Sequence, residues 1–197
     1  MRFVLASASA PRAHILRGAR VPFEAIPAEI DEDTLKAELL AKGRGVQDVA
    51  LALAEAKAIH VSKLRPDALV LGADQVLDFE GELLSKCANL TEARRLLLRL
   101  RGRRHRLISA LALAEAAHVT WTHSETANLT MRDFSDAFLD TYLTTEGSGV
   151  LAGVGCFRLE TMGAQLFERV EGDYFSILGL PLQPLLAELR RKGVIAS

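Results

Sequence analysis

Two hydrophobic rhythms run along this chain, and each predicts a different kind of element. In residues 46–64, Val49, Leu53, Ala56 and Ile59 recur at helical spacing, which predicts a long amphipathic helix. Residues 90–100, opened by Asn89 or Thr91 and closed at Gly102, predict a second helix. Residues 182–191, following Gly179-Leu180-Pro181, predict a last one, and Ser135 caps a shorter one over residues 135–142. Residues 68–73 (ALVLGA) form an apolar run long enough for a buried strand but too short for a helix. Residues 2–6 read as a first buried strand, and residues 21–26, ended by Pro27, as a second. Residues 75–84 read as a hairpin about Glu80-Gly81, and residues 107–114 and 119–131 as a long antiparallel pair. Threonines, Trp121 and alternating polar residues give the last of these strands the look of a half-exposed edge, which could pair in a homodimer.

Chemistry gathers where these elements end. Asp74 follows four apolar positions and is expected at the carboxyl end of its strand, where ligands of α/β sheets sit. A carboxylate there needs a partner, although the same residue could simply begin a turn. Gly72 and Ala73 would leave room for a ligand beside the strand. The hairpin would return Lys86 towards Asp74. After the first strand, Ser7-Ala8-Ser9-Ala10-Pro11-Arg12 joins a small-residue turn to a helix that Ser9 caps and that runs through Ile15 and Leu16 to near Gly18. Such a helix start offers backbone N–H groups to an anion, with Arg12 adding charge; an ordinary cap with a solvated arginine is the plainer alternative. Glu29, Asp31, Glu32 and Asp33 read as a solvated loop, the acidic first turn of a helix, or a source of one oxygen ligand for a divalent cation. Lys57 lies inside the long helix, where most lysines face water. Residues 146–149 and 153–155 are turn-rich loops, flexible enough to close over a ligand.

Composition narrows the classes. The chain has 197 residues, 49% hydrophobic and 25% charged, with a formal net charge of −1. That suits one compact domain spanning 1–197, with no repeat or linker and no overall field favouring nucleic acid or an anionic membrane. The run Arg94 to Arg106 is the basic concentration in the sequence, but no aromatic residues interleave it to stack bases, so it reads as a solvated face. Cys87 and Cys156 offer neither a disulfide framework nor a zinc pair, which fits a reducing, cytoplasmic setting. The apolar stretch at residues 3–6 is too short for a secretion signal, and no run approaches a membrane span. Phosphate-loop, dinucleotide, His-Glu-x-x-His and Gly-x-Ser-x-Gly patterns are absent. Phosphorus chemistry run by carboxylates, lysines and a divalent cation remains compatible.

The ordered set Leu-Ala-Ser-x-Ser, an Asp-Glu pair, Leu-Ala-x-x-Lys-Ala, Gly-Ala-Asp-Gln, a lysine after a hairpin and Gly-Asp-Tyr…Gly-Leu-Pro-Leu resembles the Maf-like nucleotide pyrophosphatases over almost the whole chain. The resemblance implies an α/β fold with a mixed, strongly twisted sheet wrapped by helices, in two lobes with a cleft, similar to inosine triphosphate pyrophosphatases. It implies hydrolysis of a nucleoside triphosphate to the monophosphate and pyrophosphate with Mg, Mn or Co. Asp74 is then the catalytic acceptor and Lys57 and Lys86 catalytic cations. Ser7 and Arg12 contact phosphate, and Asp74 and Glu32 hold metal. Gln75 after the aspartate, together with Glu160 and Pro11, looks like the branch acting on 7-methyl-GTP, whereas Thr and Gln mark the branch acting on dTTP and UTP. Departures are Ala13 where a second arginine is usual, the missing tryptophan beside it, and Cys87 where proline is usual. They leave a pyrimidine nucleotide (dTTP, UTP or CTP) or a catalytically weakened nucleotide-binding regulator as alternatives.

Overall fold

The computed structural model describes residues 2–196. It has a mixed α/β architecture built on a seven-stranded sheet whose order is β2 (Glu24–Ala25), β1 (Arg2–Leu5), β3 (Ala68–Phe79), β5 (Arg104–Glu115), β6 (His118–Met131) and β7 (Phe167–Glu171), with β4 (Glu82–Leu84) paired to β3. Contacts group the chain into two compact units. The first comprises the chain up to Gln75, Ile108–Glu125 and everything from Asp173; the second comprises Val76–Leu107 and Thr126–Gly172.

In the first unit, β1 (Arg2–Leu5) lies parallel to β3 (Ala68–Phe79), with Val4 opposite Val70 and Leu5 opposite Leu71. Alternate side chains go to opposite faces of a strand. Phe3, Leu5, Leu69, Leu71 and Ala73 therefore join one core with Leu16, Leu111, Leu113, Leu185 and Leu189, while Val4, Ala6, Ala68 and Val70 join another with Val61. Burial on both faces is why these strands read as unbroken apolar runs. Helix α1 spans Ala10–Gly18 and α2 spans Glu32–Ala41, with Asp31 accepting from Thr34 N at its start. Helix α3 is Val46–Leu64, α6 is Tyr174–Ile177 and α7 is Leu182–Arg191.

Three expectations need correction here. The strand expected over residues 21–26 shrinks to β2 (Glu24–Ala25), because Val21 turns into the core and Pro22 has no N–H for a ladder. Strand β3 does not stop at residue 73 but continues through Asp74 to Phe79, so Asp74 sits mid-strand. The space beside Gly72 is filled by protein: a Cβ there would lie 2.0 Å from Ala54 O and 2.6 Å from Ala58 N. Glycine lets α3 rest directly on the strand, and Ala73 is itself wholly buried.

In the second unit, β4 (Glu82–Leu84) folds back on β3 with Leu84 opposite Leu77. Glu80 and Gly81 make the turn at φ 57° and 87°, the pair of positive values that a type I′ hairpin turn requires. Helix α4 is Leu90–Leu100 with Asn89 as its cap, and α5 is Asp136–Glu146, a turn longer than expected. Strands β5 (Arg104–Glu115) and β6 (His118–Met131) form the expected hairpin, of which residues 108–125 belong to the first unit and the remainder to the second. β6 is not an edge along its full length: the unexpected strand β7 (Phe167–Glu171) pairs with it at residues 128–131. Residues 147–156 are not slack loops but short 3₁₀ turns, with Val150, Gly155 and Cys156 buried. The arginine run is a paired surface: Arg94 meets Asp136 and Asp140, Arg99 meets Glu82, Arg101 meets Asp136, Arg103 meets Glu80 and Arg106 meets Asp78. Among the described residues, no helix is long and apolar enough to cross a membrane.

Candidate active site

The site grows from the contact between β3 and α3. Gly72 admits the helix, and the next residue on the same face of the strand is Asp74. On α3, Lys57 stands between Ala54 and Ala58, which flank Gly72, and so its side chain meets that carboxylate. Lys57 Nζ donates to Asp74 Oδ1 at 2.6 Å. The same ammonium lies 2.9 Å from Glu32 Oε1, at the first residue of α2. Lys57 is 8% exposed and Asp74 6%. A helix lysine drawn out of water onto two carboxylates is not a solvated surface residue. Ionic groups this deep are held by partners, because the desolvation of each is worth several kcal/mol.

A second cation stands beside this pair. Ala6 N donates to Leu71 O at 2.7 Å, which carries the β1 end alongside β3 before the chain turns into α1. Ser9 caps α1 by accepting from Arg12 N at 3.4 Å, as expected. The Arg12 side chain turns back over the strand ends: Nη1 donates to Ala73 O at 3.0 Å and to Ser7 Oγ at 3.1 Å, and Nε donates to Gly179 O at 2.9 Å. Burial lowers the guanidinium pKa, and the charges of Asp74 and Glu32 work in the opposite direction. Ser7 Oγ also accepts from Ser9 N at 3.2 Å. With both lone pairs used, its own O–H remains to donate.

Five of the residues singled out from the sequence thus share the first unit's site: Ser7, Arg12, Glu32, Lys57 and Asp74. Pro11 lies exposed in the first turn of α1. Gln75 points to the opposite face of β3 from Asp74, and its amide nitrogen is engaged internally, by Ser109 Oγ at 2.9 Å, Ser176 O at 3.1 Å and Ile177 O at 2.9 Å. Lys86 and Glu160 belong to the second unit. Lys86 is exposed two residues beyond β4, and Glu160 lies 3.3 Å from Arg158. Ala13, at the position of the usual second arginine, is 8% exposed and part of the core. The carbonyl of Gly179 had no sequence signal as a site group, since any residue has one; only the turn geometry reveals it.

Two carboxylates that converge on one ammonium are hard oxygen donors aimed at one point. That donor set fits Mg²⁺ or Mn²⁺, which bind proteins through one or two carboxylates and fill the rest of the shell with water and phosphate. Among the described residues there is no group of three or more His, Cys, Asp or Glu side chains that could hold a metal unaided.

The family model described as Maf-like protein matches residues 2–192. The chain belongs to the Maf family. Within it, the nucleoside triphosphate pyrophosphatase of Maricaulis maris is 52% identical over 98% of this chain and 98% of its own. The 7-methyl-GTP pyrophosphatase of Mesorhizobium japonicum is 48% identical with the same coverage of both. A solved nucleoside-triphosphatase (dITP/XTP pyrophosphatase) of Mycobacterium abscessus aligns over 100% of this Maf chain and 98% of its own at a TM-score of 0.43 and 12% identity, a likeness too faint to carry detail.

Proposed function

We propose that this Maf protein hydrolyses a nucleoside triphosphate to the monophosphate and pyrophosphate. The observation that carries the reading is the buried Lys57 ammonium bridging Asp74 and Glu32, with Arg12 and Ser7 beside it. Asp74 orients and deprotonates a water, which attacks the α-phosphorus in line; a P–O bond forms as the bond to the departing pyrophosphate breaks. Lys57 fixes the direction of the Asp74 carboxylate. Arg12, through the N–H groups its protein contacts leave over, and Ser7, through its O–H, stabilise charge on the phosphates. Asp74 and Glu32 would hold a divalent cation, which would supply positive charge to offset that developing on the phosphates. Lys86 enters this reading as a further phosphate cation on the strength of the resemblance. Two free cysteines suit a reducing, cytoplasmic setting.

For the base, 7-methylguanine is the proposal. It rests on the 7-methyl-GTP pyrophosphatases among the relatives and on Glu160, whose carboxylate would accept from N1 and N2 of a cationic guanine. Pyrophosphate release from 7-methyl-GTP, dTTP, UTP and CTP with Mg²⁺, Mn²⁺ and Co²⁺ tests reaction and base together. The expected result is metal-dependent release, fastest from 7-methyl-GTP. Binding without release from any of them would indicate a regulator that has lost catalysis. Glu160→Gln should erode the preference for 7-methyl-GTP, and an unchanged preference removes Glu160 from base recognition.

A further inference from the structure

Arg12 is held by protein on two of its three nitrogens. Nε donates to Gly179 O, and Nη1 donates to Ala73 O and Ser7 Oγ. A guanidinium has five N–H donors in a rigid plane. Nη2 with its two hydrogens is what remains for an anion, and its direction follows from where Gly179 O and Ala73 O stand. Ala73 O is fixed by the strand. Gly179 O is not: it belongs to the turn at residues 176–179 that joins α6 to α7.

That turn is itself clamped from the far face of β3. Gln75 Nε2 donates to Ser176 O at 3.1 Å and to Ile177 O at 2.9 Å. Ser109 Oγ, on β5, donates to Ser176 O at 2.6 Å while accepting from Gln75 Nε2 at 2.9 Å. Within the turn, Gly179 N closes on Ser176 O at 3.0 Å, and Gly179 takes φ +90°. The ideal Cβ position of Gly179 lies 3.5 Å from Arg12 Nε and Nη2 and 3.7 Å from Gln75 Cδ, so the turn packs against both side chains at once. Ser109 is 1% exposed, and the Gln75 amide nitrogen already has more acceptors than hydrogens. Neither group has a donor to spare for a ligand.

We infer that Gln75 and Ser109 are positioning residues that act on Arg12 through the turn at residues 176–179, so that the residue after the catalytic aspartate aims a phosphate-binding arginine rather than reading the base. What Arg12 grips is taken from the proposed function; how it is aimed comes from the hydrogen bonds alone. The two parts separate in one experiment. Binding of inorganic tripolyphosphate is measured by calorimetry for the wild type, Gln75→Leu, Ser109→Ala, Arg12→Ala and the two doubles with Arg12→Ala, alongside kcat/KM for pyrophosphate release. Gln75→Leu should weaken tripolyphosphate binding by about tenfold in the wild-type background and by less than about twofold when Arg12 is already alanine, since residues in one network are not additive. Ser109→Ala should follow the same pattern with a smaller first factor, and it carries the comparison by itself if Gln75→Leu does not fold. Equal factors in both backgrounds, or no loss in the wild-type background, overturn the proposal, as does a wild type that does not bind tripolyphosphate. A wild type that binds tripolyphosphate yet releases no pyrophosphate from any nucleotide defeats the proposed function and leaves the positioning to be judged by the cycle.

Discussion

Two buried titratable side chains, one in each unit, are handled in opposite ways. In the first unit Lys57 is 8% exposed and lies within ion-pair distance of Asp74 and Glu32. In the second unit His105 is 2% exposed and packs against the rings of Phe157 and Phe167, at 5.6 and 6.1 Å between centroids. Neither of its ring nitrogens has a hydrogen-bond partner among the described residues. Burial pushes its pKa down to about 4, so the imidazole is kept neutral and behaves as one more ring in an aromatic cluster. Burial alone therefore does not mark chemistry. The proposed function rests instead on a buried cation kept together with two carboxylates, at a helix–strand contact made possible by a glycine.

The strongest way to break this contrast is to remove the cation. Lys57→Met leaves two carboxylates facing each other without their shared partner, and breaking such a buried pair costs on the order of 3–5 kcal/mol. Chemical denaturation should show that loss, accompanied by loss of turnover. A variant as stable as the wild type would mean the pairing is not a structural necessity.

His105 predicts a smaller effect, confined to acid. With the folded pKa depressed to about 4 from an ordinary 6.5, the unfolded chain takes up a proton between those values and the native state does not. Stability is then full above about pH 6.5 and declines as pH falls towards 4, by about 3 kcal/mol across the window. His105→Leu should flatten that limb of the curve of ΔG against pH. An unaltered acid limb would place the sensitivity elsewhere.

How much of this contrast could be read from the residues alone differs from element to element. Helices α3 and α7 take the expected bounds because one periodic stripe decides each, and the Glu80-Gly81 hairpin follows from local turn chemistry. The apolar run of β3 ends at residue 73, and the strand continues through polar positions, Asp74, Gln75 and Asp78, that the pattern alone does not join to it. Their partners, Lys57, Ser109 and Arg106, are 17, 34 and 28 positions away, and no local window contains them. Gly72 could be recognised as a close approach, but not as an approach of helix rather than ligand. β7, with the half-exposed sequence Phe-Glu-Arg-Val-Glu, has no apolar pattern to announce it and exists because β6 offers a ladder at residues 128–131. Of the site, Asp74, Lys57, Arg12, Ser7 and Glu32 were all nameable from the motif order; that Lys57 is shared by two carboxylates was not.

The smallest expected effect is on the arginine-rich surface. Arg94 reaches Asp140 at 2.8 Å and Asp136 at 3.4 Å, both exposed acids. Exposed pairs contribute little because water and salt screen them. Arg94→Gln should leave Tm within about a degree of the wild type and pyrophosphate release unchanged. A large drop in either would show that this surface is more than a solvated face.

The most direct test of the central claim is pyrophosphate release by Asp74→Asn, measured on the best nucleotide of the panel with saturating metal, with the fold checked by circular dichroism. The amide keeps the shape of the carboxylate but can neither take a proton from water nor pair with Lys57 as an anion. The account predicts a folded protein whose turnover falls by on the order of 10²–10³. Release at close to the wild-type rate from that folded variant would contradict it.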